Sequence, residues 1–408
     1  MVVDELGGCA VRIMMVGCGW MGRPYLSRAH RRGIHVAVLD SEAALSWDET
    51  RAAFGPGDKG YAVPFPGEEG WLAAAAAALR DGPVDGIVAF SEAHVRPAAL
   101  LADELGLPGP GMRAALTSRN KLAQRELFAR RGIAQPDFHA AVRASGSAGV
   151  WSANRYPVVA KPLSKMGSEG VRICADATEL HDWLVALDSD DPFLVEQHLT
   201  GVELSVEAVV DRGDVLFWNI TAKTISAPPF CVELEHQAPA DIDEDERSAI
   251  RQCLDEVLGA LDMGSGIAHL EVILRNRVPH VVEIAVRTPG DYLMEVIEAA
   301  TGVDLFDAVI AVACGLPCAV DPVASDVAAV WFPTAPPGVV VTLNGHESLH
   351  DLDGVVRAEI DVTPGSVVTP LRSSMDRLGM VVYKAQERAE LLVRRERIRR
   401  TLVLATQS

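Results

Sequence analysis

The sequence predicts an α/β protein of more than one domain, and three observations carry that expectation. Residues 11 to 110 alternate strand-like and helix-like stretches, the order that builds a parallel sheet with helices on its faces. From Thr200 onward the strand-like stretches lengthen, and two of them follow one another across a short turn. The chain has 408 residues, 49% of them hydrophobic, which is too much for one simple core and enough for two or three.

The elements follow in order. "VRIMMV" reads as a buried strand, residues 21–32 as a helix, and "IHVAVLD" as a second strand. The Pro/Gly-rich "FGPGDKGYAVPFPGEEG" reads as a loop, followed by an Ala-rich helix, the strand "VDGIVAF", and a helix closed by Gly106. "GLPGPG" marks a boundary, and "TSRNKLAQRELFARRGIAQP" reads as one helix capped by Thr117 or Ser118 and stopped by Gly132. Short strands around a helix near "DATELHDWLVAL" imply a small α+β unit up to Leu199. The longer strands "VELSVEAVV", "DVLFWNITAK" and "CVELEHQAP" come next, then a helix over residues 243–261. "GIAHLEVIL" and "HVVEIAVR" are further strands, and two helices close the readable part.

Bulk properties exclude several classes. A formal net charge of −19 disfavours nucleic acid and anionic membranes as partners of the whole surface. No apolar run approaches the length of a membrane span, and the acidic first residues do not resemble a secretory signal. Seven scattered cysteines with no CxxC pair suit a reduced cytoplasm, and Cys314 and Cys318 suit packing better than a metal. The basic "RRERIRR" at 394–400 is expected to be a solvated helix face.

Two stretches could hold a nucleotide. "VGCGWMG" places Gly17, Gly19 and Gly22 between a strand and a helix, with Asp40 ending the next strand, which is the context of a dinucleotide site. The same glycines equally serve a tight turn and close helix–strand packing. The second stretch is "KPLSKMGSEGV". Lys161 leaves a strand and can reach phosphate oxygens, Gly167 and Gly170 let backbone N–H groups turn inward, and Ser164 and Ser168 add donors. Read alone, this loop is also compatible with a polar turn.

Two acids sharpen the second reading. Glu271 and Glu283 sit in consecutive strands joined by "RNRVP", so an antiparallel pair would face them across one another. Facing carboxylates in apolar strands need a cation, and Mg²⁺ bridging nucleotide phosphates is a natural one. A salt bridge from Glu283 to a lysine is the plainer alternative, but it leaves Glu271 unexplained. Arg287, four residues on from Glu283, is placed to meet a carboxylate substrate or a developing oxyanion.

With these parts in this order, residues 121–287 resemble the ATP-grasp superfamily. The resemblance implies an N-terminal Rossmann-like domain of the biotin-carboxylase type that binds no NAD (residues 1–115). It also implies a small α+β lid (116–200) and a larger α+β domain with a C-terminal extension (201–408). It assigns Lys121 and Lys161 to ATP, Glu196 to the adenine amino group, Leu199 to the ring, Glu203 to the ribose, and Glu271 and Glu283 to Mg²⁺. Ala285 stands where the superfamily places a metal-binding asparagine, so the number of metal ions is open. "TAKTISAPPFCVELEHQAPADI" is similar to the corresponding segment of L-amino-acid ligases of the bacilysin type and of carnosine synthase. That likeness implies Glu233 on a substrate ammonium, His236 near the reacting carboxyl, Arg287 holding that carboxyl, and Gly290 in a turn shaping the amino-acid pocket. By itself His236 is an ordinary strand histidine. The expected activity is ADP-forming ligation of a carboxylate to an amine through an acyl phosphate, on small-molecule substrates, with homodimers suggested by the resemblance. A carboxyphosphate-using carboxylase, an NAD-dependent oxidoreductase and an inactive nucleotide-binding scaffold are the competing readings.

Overall fold

The computed structural model describes residues 11–142, 156–163, 167–187 and 192–407. The front of the chain forms β1 (Arg12–Val16), α1 (Gly19–Arg31), β2 (His35–Asp40), the short α2 (Glu42–Ser46) and α3 (Asp48–Ala52), β3 (Lys59–Ala62), α4 (Glu68–Arg80), β4 (Gly86–Ala89) and α5 (Val95–Leu105). The four strands are parallel, in the order β3-β2-β1-β4. Strand β3 corrects the expectation of a loop there. Only Tyr61 of its four residues is buried, too little to leave a periodic signal, and pairing with β2 makes it a strand.

The front glycines are filled by the protein's own rings. Gly17 has φ +83°, and a Cβ there would lie 2.0 Å from the His94 ring. A Cβ on Gly22 would lie 2.9 Å from Phe90. Asp40 accepts hydrogen bonds from the Cys18 and Ser41 backbone N–H groups, both at 2.7 Å. His94 packs edge-on between Trp71 and Phe90, and burial lowers its pKa to about 4, so it is neutral there. These glycines therefore serve close packing.

After α5 the sequence suggested one helix with a Thr117 or Ser118 cap. The structure has two, α6 (Met112–Ser118) and α7 (Lys121–Arg131). Ser118 Oγ donates to the Ala115 carbonyl inside α6, so it is not free to cap. Asn120 is extended instead, and its side chain accepts from Ala123 N. This break sets Lys121 at the first position of α7. A small antiparallel sheet follows, of β5 (Phe138–Ala141), β6 (Val158–Pro162), β7 (Arg172–Cys174) and β8 (Phe193–Gln197), in the order β5-β8-β6-β7. Helix α8 (Ala177–Ala186) packs Leu180, Trp183 and Leu184 against Val158, Ala160 and Phe193.

The remainder begins with β9 (Val202–Asp211), β10 (Asp214–Ile225), β11 (Glu233–Ala238), α9 (Glu244–Leu261), β12 (Gly266–Arg275), β13 (Val278–Ala285), α10 (Leu293–Thr301) and α11 (Leu305–Ala313). It ends with β14 (Val327–Trp331), β15 (Gly338–Asn344), β16 (Val355–Ile360), β17 (Val367–Val368), β18 (Gly379–Ala385), α12 (Arg388–Thr401) and β19 (Val403–Gln407). Eight strands make one antiparallel sheet, β13-β12-β9-β10-β11-β14-β18-β16, while β17-β15-β19 form a separate small one. One face of the large sheet packs Val206, Ala208, Ala268, Leu270 and Val272 against Ile250, Leu254 and Val257 of α9. Asp243 caps α9 in a reciprocal arrangement with Glu246.

The basic run at 394–400 lies in α12 and is not simply solvated. Arg395 and Arg399 reach the buried Glu235 of β11 at 3.3 and 3.2 Å, and Arg394 binds Asp353 and Glu390. Cys318 is half-buried against the Ala308 carbonyl, a packing role.

Gly17→Ala tests the front turn. Its new methyl meets His94 at a positive φ, so we expect a loss of about 1–3 kcal/mol. In thermal-shift titration the wild-type protein and the variant should both be stabilised by ATP with Mg²⁺ and neither by NAD.

Candidate active site

Strand alternation sets the site. In β12 the even positions Ala268, Leu270, Val272 and Leu274 join the core under α9. His269 and Glu271 therefore point to the opposite face. Glu271 pairs directly across from Glu283 of β13, as the sequence led one to expect. Each acid also has a lysine. Glu271 Oε1 lies 3.0 Å from Lys223 Nζ and 3.2 Å from His269 Nε2, and Glu283 Oε1 lies 3.1 Å from Lys121 Nζ. The salt bridge considered for Glu283 thus exists, and Glu271 has its own. Lys223 Nζ is also 3.5 Å from Glu233.

The charges around Lys223 are unbalanced. Burial opposes its ammonium, but Glu271, Glu233 and Glu203 together push its pKa well up. The same crowding appears from the other side. Burial raises Glu203, and its neighbours Glu271 and Glu233 raise it further. Burial would also raise Glu271, but Lys223 and His269 overcome it and hold that carboxyl well below its ordinary range. His269, against Glu207 and Glu271, is raised to about 9 despite burial. Four carboxylates here (Glu203, Glu233, Glu271 and Glu283) meet two lysines, a surplus of negative oxygen that fits a hard divalent cation. Ala285, opposite His269, offers no ligand, and among the described residues no group of three or more His, Cys, Asp or Glu is arranged for a metal. The opposed carboxylates of Glu271 and Glu283 are oxygen donors of the kind that would suit a divalent ion such as Mg²⁺.

Around the small sheet the chemistry is different. Lys161 Nζ lies 2.7 Å from Glu196 Oε2, and Arg125 Nε lies 2.6 Å from Oε1, all nearly or fully buried. Burial would raise Glu196, yet the two cations hold it at about 2. Burial lowers Lys161, with Arg125 adding to the effect, while Glu196 resists it. Both Glu196 oxygens are thus engaged, so an adenine amino group would share an oxygen with Arg125 or Lys161. Ser168 Oγ donates to the Cys231 carbonyl, and Gly167 and Ser168 both have positive φ. Ser164 lies outside the described residues.

The third part holds the remaining residues. Strand β13 ends at Ala285, so Arg287 sits just beyond it rather than on the strand face expected from the sequence. Its Nε donates to Glu92 Oε1 at 2.7 Å and its Nη1 to the Thr288 carbonyl. Burial would raise Glu92, but Arg287 and Arg119 lower it. His236 is 2% exposed, and its Nε2 lies 2.9 Å from Asp291 Oδ2. Arg377 binds the other Asp291 oxygen at 2.5 Å.

One cavity of about 280 Å³ is lined by Gly167 and Ser168 of the glycine loop and by Lys121, Lys161, Glu196, Leu199, Glu203, Glu233, His236, Glu271, Glu283, Arg287 and Gly290, while Gly170 and the front glycines lie outside it. It is also lined by Glu92, Arg119, Lys223, Asp291 and Ser374, which sequence reasoning did not assign. Lys223 had a signal, a lysine in the alternating strand "NITAKT". Glu92, Arg119 and Ser374 had none, because only the tertiary fold brings them near.

These features define a class. Family models match residues 154–295 as an ATP-grasp domain and 26–109 as an ATP-grasp N-terminal domain. The protein is an ATP-grasp ligase. Residues 331–407 match the L-amino acid ligase C-terminal domain 2, so its final part is that of the L-amino acid ligase branch. The solved L-amino acid ligase of Bacillus licheniformis superposes with a TM-score of 0.82 at 22% identity, over 98% of this chain and 100% of that one. The uncharacterised protein y4rH of Sinorhizobium fredii is 26% identical over 90% of this chain and 77% of its own length. The alanine–anticapsin ligase of Bacillus subtilis is 24% identical over 56% of this chain, and the match spans about half (54%) of that ligase. Among the described residues no helix is long and apolar enough to cross a membrane.

The Glu196 cluster gives an acid-stability prediction. Its folded pKa is depressed, so its contribution is full above the ordinary value of 4.5 and fades as pH falls towards about 2. Glu196→Gln leaves Lys161 and Arg125 without their carboxylate and should cost ~3–5 kcal/mol at neutral pH. It should also flatten the acid limb in that window, measured by chemical denaturation against pH.

Proposed function

We propose that this protein joins two amino acids, or an acyl group and an amino acid, by ATP-dependent ligation that releases ADP and phosphate through an acyl phosphate. The observation that carries the proposal is the facing pair Glu271–Glu283 in the same cavity as the buried Lys161 and Arg287. In this reading ATP lies between the small sheet and the large one. Backbone from Glu196 to Leu199 borders the adenine, Glu203 the ribose, and Lys121, Lys161 and Lys223 the phosphates. Glu271 and Glu283 would hold Mg²⁺, which would neutralise charge on the transferring phosphoryl group. The substrate carboxylate attacks the γ-phosphorus, and ADP leaves with the electron pair of the broken P–O bond. Arg287, fixed by Glu92, binds the carboxylate and then the oxyanion formed when the amine adds. Glu233 meets a substrate ammonium, His236 faces the reacting carboxyl, and Gly290 leaves room in the pocket.

The β5–β8 sheet closes over the nucleotide and keeps water from the acyl phosphate. The partners are small molecules, and pairing of two copies of the chain would be read by sedimentation. The free cysteines, such as Cys174 and Cys253, support a reducing cytoplasm as its setting.

ADP release measured against pairs of amino acids tests the proposal directly. Pair-dependent release with a ligated product is expected, and release that no amino acid stimulates would sink it. Lys161→Ala leaves Glu196 its Arg125 partner, so the fold should survive. ADP formation should fall by about 10²-fold or more, the scale for removing one donor to developing charge.

A further inference from the structure

His236 has an asymmetric environment. Its Nε2 faces Asp291, and its Nδ1 is buried with no hydrogen-bond partner among the described residues. An ionised carboxylate can only accept, so Nε2 carries the hydrogen. Whenever the ring carries only that hydrogen, Nδ1 is a bare acceptor on a residue that lines the cavity. A buried acceptor without a donor is costly, and a substrate N–H is the donor the cavity can bring.

Asp291 is itself held with effort. Asp291 and Tyr292 both have positive φ, 56° and 58°, where non-glycine residues are strained. What fixes them comes from far along the chain. Arg377 binds Asp291 Oδ1, donates to the Ser374 and Glu233 carbonyls, and stacks over Phe332 at 3.7 Å. Phe332 in turn meets His236 edge-on. The other charges near His236 are already committed. Lys223, its cross-strand partner, serves Glu271 and Glu233, and Val330 on its other side is apolar.

We infer that Asp291 and Arg377 are positioning residues that fix His236 with Nδ1 as the proton acceptor for the incoming amine; this rests on the ligase reading above. The substrate ammonium gives one proton to Nδ1, and its nitrogen attacks the acyl-phosphate carbon. The C–N bond forms, the C–O bond to phosphorus breaks, and phosphate leaves with that electron pair. The second nitrogen proton goes to the departing phosphate, and the His236 proton goes to solvent, so one proton is released per amide formed.

Hydroxylamine tests this, because it is unprotonated near neutral pH and needs no base. The variants are Asp291→Asn, Arg377→Met and Arg377→Lys, each checked by thermal melting. With an amino acid as nucleophile, kcat should fall about 10²-fold in Asp291→Asn and Arg377→Met, the lower range for general-base assistance. KM for ATP and hydroxamate formation should hardly change, and Arg377→Lys should recover part of the loss. Equal losses with hydroxylamine and the amino acid, or undiminished amide formation, would overturn the inference while leaving the ligase reading intact. If the unmodified protein makes neither amide nor hydroxamate, both fall together.

Discussion

The site is governed by surplus carboxylate in a confined space. Glu203, Glu233 and Glu271 all act on one buried ammonium, Lys223, while Glu283 has Lys121. Removing charge from water is tolerable only where opposite charge is close. The protein's own cations meet that requirement only partly, which is why Glu203 is pushed up rather than down. A nucleotide with a divalent ion alters the balance in the direction the cavity lacks. In the proposed reading its phosphates would meet the lysines, and the ion would meet the acids those lysines now hold. On this view the Lys121–Glu283 and Lys223–Glu271 pairs are what a cavity built for a charged ligand forms on its own.

The large sheet makes that cavity possible by keeping its two faces chemically distinct. The same strand β12 gives Ala268, Leu270 and Val272 to an apolar core and His269 and Glu271 to the cavity. Behind the front row, Glu207 is fully buried and accepts from Ser205, Thr221 and His269. That network clamps His269, and His269 orients Glu271. A bulge in the β12–β13 ladder just after Glu271 changes the register, yet the two acids stay directly opposed.

This explains how far the sequence could be read. Alternation within single strands is local, so the opposed acids and most element positions were legible. Lys161 could be singled out because its residue type and place before a glycine loop suit phosphate chemistry, and the structure sets it in the cavity beside Glu196. The break at Asn120 was not, because Ser118 looks like an equally good cap until its hydroxyl is seen bonded inside α6. Strand β3 was not, because backbone pairing to β2, rather than its side chains, makes it. The front glycines carried a dinucleotide signal that packing against His94 and Phe90 accounts for. Glu92 and Arg377 lay beyond reach because each meets the site from a remote part of the chain.

That last fact concerns how the parts cooperate. The turn around Ser374 touches both halves of the cavity. Its backbone N–H and its hydroxyl both reach the Gly167 carbonyl in the glycine loop, while Arg377 three residues on holds Asp291. Gly167 suits this contact, since a Cβ there would fall 2.5 Å from Ser374 Oγ. The Pro-rich segment adds a second tie, with Ile173 of β7 donating to the Pro229 carbonyl. In the proposed closure the small sheet would settle against the same C-terminal turn that holds Asp291 beside His236. Sealing the phosphates and aligning the amine site would then share one structural element, and Ser374 makes the C-terminal part of the chain a component of the cavity rather than an appendage to it.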